Sequence, residues 1–253
     1  MAKIIAIANQ KGGVGKTSTC VNLACGLKKR GRRVLLVDCD AQGNATSGMG
    51  VDKSRTPNMY HIMTQGVPSR DCVIQTKYGD VLPTNKDLSG ATVELVDMED
   101  REYVLKGALE PLREIYDYIL IDCPPSLELL TVNALAAADS VLVPVQCEYY
   151  ALEGIADLTT TIKMINSRIN PKLEIQGIVL TMYDSRTNFS EQVAGEIRRY
   201  FGNKVYKTII PRNIRIAEAP SHGKPVIAYD RISKGSSAYL KLATELVKQI
   251  EGV

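Results

Sequence analysis

The run Lys11-Gly12-Gly13-Val14-Gly15-Lys16-Thr17 holds three glycines and two lysines. Glycines there let successive backbone N–H groups turn inward onto an anion. Lys16 supplies a fixed cation for the β- and γ-phosphates of a nucleotide, and the Thr17 hydroxyl suits Mg²⁺. Ser18 follows at the start of a helical pattern, where the N-terminal partial charge adds to the anion site. Three carboxylates end apolar runs further on. Asp38 and Asp40 close Arg32 to Asp38-Cys39-Asp40, and Asp122 closes Tyr116 to Ile121. An acid at the carboxyl end of a buried strand lies on the ligand side of an open α/β sheet, and an apolar strand ending in Asp suits Mg²⁺ coordination through water.

These residues need elements to hold them. Lys3 to Ala8 is a short apolar, β-branched run and reads as a buried strand. Val21, Leu23, Ala24 and Leu27 give Ser18 to Lys29 helical spacing. Further strands are expected at Arg32–Asp38, Val81–Pro83, Tyr116–Asp122, Ser140–Val145, Glu174–Met182 and Val205–Ile210. Helices are expected at Asn58–Thr64, Asp87–Val96, Arg101–Ile115, Glu128–Ala138, Leu158–Ile169, Asn188–Phe201 and Ser236–Ile250, with a turn at Thr46–Gly50. Strands alternating with helices predict an α/β fold with a mostly parallel central sheet flanked by helices. A chain of 253 residues suits a single domain over residues 1–253. The last strand opens into Pro211-Arg212-Asn213-Ile214-Arg215, where a nucleotide base would rest.

Composition narrows the class. No stretch approaches about 18 uninterrupted apolar residues, so no membrane span is expected. The amino-terminal residues run straight into the first strand, without the pattern of a signal peptide. Six cysteines are present and none forms a Cys-x-x-Cys pair, which points to a reduced, cytoplasmic protein without structural zinc. The net charge of +3 is unevenly placed. Asp71 to Asp139 carries 14 acidic and 5 basic residues, a net of −9; Arg186 to Lys234 carries 10 basic and 4 acidic, a net of +6. The basic segment is either a polyanion-binding face or a solvated surface.

The glycine loop departs from the ordinary P-loop pattern, which places Gly five residues before Gly15; Gln10 stands there, and Lys11 adds a second cation. This deviant Walker A loop resembles that of the ParA/MinD ATPases. Asp38-Cys39-Asp40-Ala41-Gln42 resembles the same family's Walker A′ motif, with Ala41 in place of the usual Pro, and Tyr116–Asp122 its Walker B strand. Gln146 to Gly154 resembles a stretch of chromosomal ParA/Soj proteins, so the likeness runs over essentially the whole chain.

The resemblance implies a slow, partner-stimulated ATP hydrolase using ATP and Mg²⁺. It implies that Lys11 reaches the partner subunit's nucleotide across an ATP-dependent homodimer, in which Gly12 permits close approach, and that Gly12 and Gly13 also belong to the nucleotide-binding loop. It further implies that Val14, Gly15, Lys16, Thr17 and Ser18 hold phosphates, that Asp40 orients the attacking water, and that Thr17 and Asp122 serve Mg²⁺. Pro211 and Asn213 are implied to contact adenine, and Arg186 and Arg215 to bind double-stranded DNA without sequence preference. A ParB-type partner and a nucleoid-associated location complete the expectation, with segregation of chromosome or plasmid DNA as the function. Rival classes fit less well. A membrane-bound MinD-like regulator needs a basic amphipathic tail, whereas Lys241, Glu245, Lys248 and Glu251 alternate in sign. An iron–sulfur reductase needs a second cysteine ligand beside Cys123, and a bacterial tyrosine kinase a terminal tyrosine cluster. A ParA-like positioner of another cargo remains the alternative.

Overall fold

The computed structural model describes residues 1–148 and 151–252, with the backbone alone for Leu152 and Glu153. From the amino terminus, β1 (Lys3–Ile7) leads into α1 (Lys16–Lys29), followed by β2 (Val34–Asp38) and α2 (Asn44–Gly48). Short helices α3 (Met59–Gln65) and α4 (Ser69–Cys72) precede β3 (Asp80–Leu82); α5 (Leu88–Glu94) and α6 (Val104–Leu109) follow it. Next come β4 (Tyr118–Asp122), α7 (Leu129–Ala137), β5 (Ser140–Gln146), α8 (Ala151–Arg168), β6 (Glu174–Thr181) and α9 (Asn188–Phe201). Short α10 (Ile214–Glu218) and α11 (Val226–Tyr229) lead to the long α12 (Lys234–Glu251).

The sheet runs β3-β2-β4-β1-β5-β6, with every pairing parallel. Both faces are covered, which is why its strands read as continuous apolar runs rather than alternating ones. Ile4, Ala6, Leu35, Val37, Ile119 and Ile121 face one core, while Ile5, Ile7, Val34, Leu36, Tyr118 and Leu120 face the other. On the second face α1 packs on α12 so closely that a Cβ at Gly26 would stand 2.9 Å from the Ala243 Cβ. Strands are added on both sides of β1, so the crevice beyond its carboxyl end is where an open sheet of this kind accepts ligands.

Three expectations are corrected. Val205–Ile210 is an extended edge segment joined to β6 by one isolated bridge, Ile178 to Val205, with a second just beyond both, Tyr183 to Pro211. Its ladder is interrupted because the Lys207 and Thr208 amides donate to the Glu245 carboxylate instead (2.7 and 2.9 Å). The helix expected over Arg101–Ile115 is confined to α6 and a 3₁₀ turn at Glu110–Leu112, where Pro111 cannot donate to a continuing helix. The expected turn at Thr46–Gly50 is largely the helix α2, whose amino end is capped from β2 by Asp38. Of the Gln146–Gly154 segment, Tyr149 and Tyr150 lie outside the described residues.

Candidate functional site

The loop between β1 and α1 is built by glycine geometry and pinned from three neighbouring elements. Gly13 and Gly15 adopt left-handed φ values of 75° and 90°, open to glycine and strained for other residues. Asn9 accepts from the Lys11 amide (3.0 Å) and donates to the Pro144 carbonyl on β5 (2.8 Å). Thr181, ending β6, donates to the Val14 carbonyl (2.8 Å), and Gln10 donates to Thr161 on α8 (3.2 Å). Lys16 is 7% exposed and donates from Nζ to the Lys11 carbonyl across the loop mouth (2.9 Å). Burial lowers its pKa, against the opposing charges of Asp122 and Asp40. The Lys11 ammonium is ion-paired with Glu148.

The carboxylates converge because their strands are in register, Asp38 opposite Asp122 and Ile7 opposite Asp122. Asp38 is fully buried. Its Oδ2 accepts from the Thr46 amide and hydroxyl (both 2.7 Å), and its Oδ1 accepts from the Asp40 amide (3.2 Å). Burial pushes its pKa up to about 6, although the Thr46 hydrogen bonds hold it down. Asp38 is therefore the anchor of the loop that carries Asp40. The half-buried Asp40 accepts from the Gln42 amide (3.0 Å).

Asp122 differs in kind. Both of its oxygens are buried and neither has a hydrogen-bond partner; the Thr17 hydroxyl faces it and favours its charge without forming a bond of ordinary geometry. Burial and then the Asp38 charge raise its pKa well above the usual carboxylate range. A buried carboxylate without donors is costly unless a cation completes it. Beside a hydroxyl and a phosphate loop, that environment fits Mg²⁺. Among the described residues no group of three or more His, Cys, Asp or Glu forms a metal cage.

Beside Gly15 and Ser18 lies a cavity of about 340 Å³, lined also by Thr181, Met182, Pro211 and Asn213. The Asn213 side-chain oxygen Oδ1 accepts from the Arg215 amide (2.9 Å) and so caps α10, which leaves the side-chain NH₂ as a donor. Met182 holds an unusual φ of 50° at this wall. The predicted loop, acids and base-side residues are thus brought to one end of the sheet. Asn9, Thr46, Thr181 and Met182 were not legible as site residues. Each acts through one long-range contact or a backbone angle that leaves no local pattern.

Arg186, on the turn after β6, and Arg215, in the first turn of α10, stand on neighbouring segments, because Tyr183 pairs in parallel with Pro211 and its carbonyl accepts from the Arg212 amide (3.0 Å). The Arg186 side chain is 84% exposed and forks onto Asp184 (2.8 and 2.7 Å). That contact holds the Asp184 carboxyl below its ordinary range. Arg215, 49% exposed, pairs with Glu218 (2.8 Å) and Asp230 (3.3 Å).

A parallel sheet, a glycine loop feeding a helix, a buried lysine and in-register carboxylates define a P-loop nucleotide hydrolase. The chain matches the family model described as AAA domain over residues 2–175. It is 54% identical over 249 residues to sporulation initiation inhibitor protein Soj of Bacillus subtilis, covering 97% of this chain and 98% of that one. To chromosome partitioning protein ParA of Myxococcus xanthus it is 53% identical over 252 residues, 98% of this chain and 89% of the relative. The crystal structure of cobyrinic acid a,c-diamide synthase from Mycobacterium smegmatis, with bound ADP and magnesium, has a TM-score of 0.87. It is 37% identical and covers 99% of this chain and 96% of that one. This chain belongs to the Soj/ParA family of chromosome-partitioning ATPases.

Proposed function

We propose that the chain is a DNA-segregating ATPase, one unit over residues 1–253, that dimerises with ATP and then binds DNA without sequence preference. A ParB-type partner stimulates its hydrolysis, and the cargo is chromosomal or plasmid DNA. Among the described residues no helix is long and apolar enough to cross a membrane, and the proposed location is the cytoplasmic nucleoid. The observation that carries the nucleotide chemistry is the juxtaposition of buried Lys16 with the partnerless carboxylate of Asp122 at the mouth of the glycine loop. The near-full-length identity to Soj and ParA supports the cargo.

The residues divide the work. Amides from Gly12 to Ser18 and the Lys16 ammonium hold the β- and γ-phosphates, with Lys11 facing the partner subunit's nucleotide. Thr17 and Asp122 would hold Mg²⁺, which neutralises charge on the phosphate oxygens. Asp40, held by Asp38, accepts a hydrogen bond from water and aims its oxygen at the γ-phosphorus. As the water oxygen bonds to the γ-phosphorus, the γ-phosphorus bond to the β–γ bridging oxygen breaks, and the water proton passes to the released phosphate, leaving ADP and phosphate. Pro211 and Asn213 flank the base.

Binding and turnover therefore separate by residue. Asp40→Ala is expected to bind a fluorescent ATP analogue like the unaltered protein and to lose about 10²-fold in phosphate release. Lys16→Ala is expected to lose nucleotide binding or hydrolysis. Normal turnover by both variants would refute the assignment of the site.

A further inference from the structure

Asp40 opens a β-turn whose far end is gripped by a lysine from the segment after α2. The Gly43 amide donates to the Asp40 carbonyl (2.8 Å), and the Gln42 amide donates to Asp40 Oδ1 (3.0 Å). Ala41 and Gln42 keep negative φ, so Asp40–Gly43 is a type I turn with Ala41 in its second position. The turn therefore fixes the carboxylate as well as the backbone. One Asp40 oxygen is engaged inside it, which leaves Oδ2 as the acceptor for water.

The two ends of the turn are anchored differently. At its entrance the Asp40 amide donates to the buried Asp38 (3.2 Å). At its exit the peptide between Gln42 and Gly43 is held from outside, where the Lys53 ammonium donates to the Gln42 carbonyl (2.6 Å). A hydrogen bond from an ionised donor is roughly twice as strong as one between neutral groups. The lysine stem covers the same peptide. A Cβ added at Gly43 would lie 3.1 Å from Lys53 Cδ and 3.2 Å from Cε. Lys53 is presented by fixed backbone on either side. The buried Val51 donates its amide to the Thr46 carbonyl (3.1 Å), and the Arg55 amide donates to the Asp52 carbonyl (3.2 Å).

On the assignment of Asp40 to the attacking water, we infer that Lys53 is a positioning residue for ATP hydrolysis. It holds the Gln42–Gly43 peptide, and with it the turn that aims Asp40, and so acts through Asp40 rather than on the nucleotide. Proline suits the second position of a type I turn, because its ring presets φ there. Among the described residues the Ala41 amide donates no hydrogen bond that a proline would remove. Ala41→Pro would thus stiffen the turn from within and lessen its need of the outside clamp.

Phosphate release by the full chain, measured across an ATP series with Mg²⁺, gives kcat and KM separately. Lys53→Met keeps most of the stem and removes the donor. It should lower kcat about tenfold, short of the roughly hundredfold cost of a misplaced catalytic group, and leave KM within about twofold. Ala41→Pro added to Lys53→Met should recover at least about half of the lost rate. Lys86→Met removes the same charge at an exposed position and should change neither constant. An unchanged kcat in Lys53→Met, a raised KM alone, no recovery with the proline, or the same loss from Lys86→Met would overturn the proposal. Asp40→Ala, run beside them, separates the two levels. Normal hydrolysis by Asp40→Ala would remove the role of Asp40 and that of Lys53 with it. Loss in Asp40→Ala with none in Lys53→Met would leave Asp40 in place and refute Lys53 alone.

Discussion

Asp122 is placed where its charge is a liability until a cation arrives. Its oxygens are buried without partners, and the neighbouring Asp38 adds repulsion. Leaving a buried polar group unsatisfied costs about 1–3 kcal/mol, more when it is charged. Asp122→Asn should accordingly raise the melting temperature of the nucleotide-free protein, by roughly 2–4 °C per kcal/mol at this size, while removing magnesium-dependent hydrolysis. Calorimetry beside a phosphate-release assay checks both; a lower melting point would contradict the orphaned carboxylate. Asp38 gives a second, pH-dependent signature. Its folded pKa of about 6 lies above the unfolded value near 4. Between those values the folded chain holds more protons than the unfolded one, so the contribution to stability falls as pH rises through that window. Denaturant midpoints of nucleotide-free protein should show Asp38→Asn flattening the slope between about pH 4 and 6. An unchanged slope would mean that burial does not control this acid.

At the scale of elements, α2 transmits the position of the Asp40 loop outward. Asp38 pins its amino end through Thr46, and Thr46 also accepts from the Thr84 amide (3.0 Å). Just beyond it, Gly50 meets Gly223, at the end of the 3₁₀ turn Ala219–His222 after α10. Gly50 has φ 78°, and a Cβ on it would lie 2.9 Å from the Gly223 carbonyl oxygen. Gly66 has a similar φ of 65° but open space around it. Gly66→Ala should cost only the left-handed penalty of about 1–2 kcal/mol, and Gly50→Ala about 1–3 kcal/mol more from overpacking. Urea titrations of the two variants measure the difference; equal losses would deny the contact. The same comparison shows what the sequence could carry. β1, β2, β4, β5 and β6 were legible because burial on both faces makes them continuous apolar runs. The loop and its acids were legible because glycine, lysine and strand-terminal Asp have local chemistry. α2 was not, because the residue that caps it sits on β2, and the Val205–Ile210 edge was overread because Glu245 on α12 takes its amides. Asn9 and Thr181 hold the loop through contacts far away in sequence, which periodicity does not encode.

For the whole molecule, the proposed function asks a chain with a net charge of only +3 to hold DNA. The acidic and basic segments differ in place, and the proposed contacts Arg186 and Arg215 lie on adjacent segments, the turn after β6 and the start of α10. Both are held by carboxylates of their own fold, Arg186 by Asp184 and Arg215 by Glu218 and Asp230. Exposed ion pairs of this kind are weak, about 0–1 kcal/mol, so a phosphate can replace the carboxylate, but each exchange lessens the gain. Under the proposed function one subunit would offer few contacts, and two subunits joined by ATP would add them on a single duplex. Affinity should therefore appear with ATP and not with ADP, fall steeply with salt, and ignore base sequence. Arg186→Glu and Arg215→Glu should each abolish ATP-dependent retention in a mobility shift while leaving the ATP dimer intact by size-exclusion chromatography. The carboxylates supply the converse test. Asp184→Asn frees Arg186 without changing the arginine, and should strengthen retention on two unrelated duplexes alike. Equal retention with ADP, preference for one duplex, or indifference to both charge reversals would remove DNA as the track, and an Asp184→Asn variant that bound more weakly would show the pair to be an orienting contact rather than a competitor.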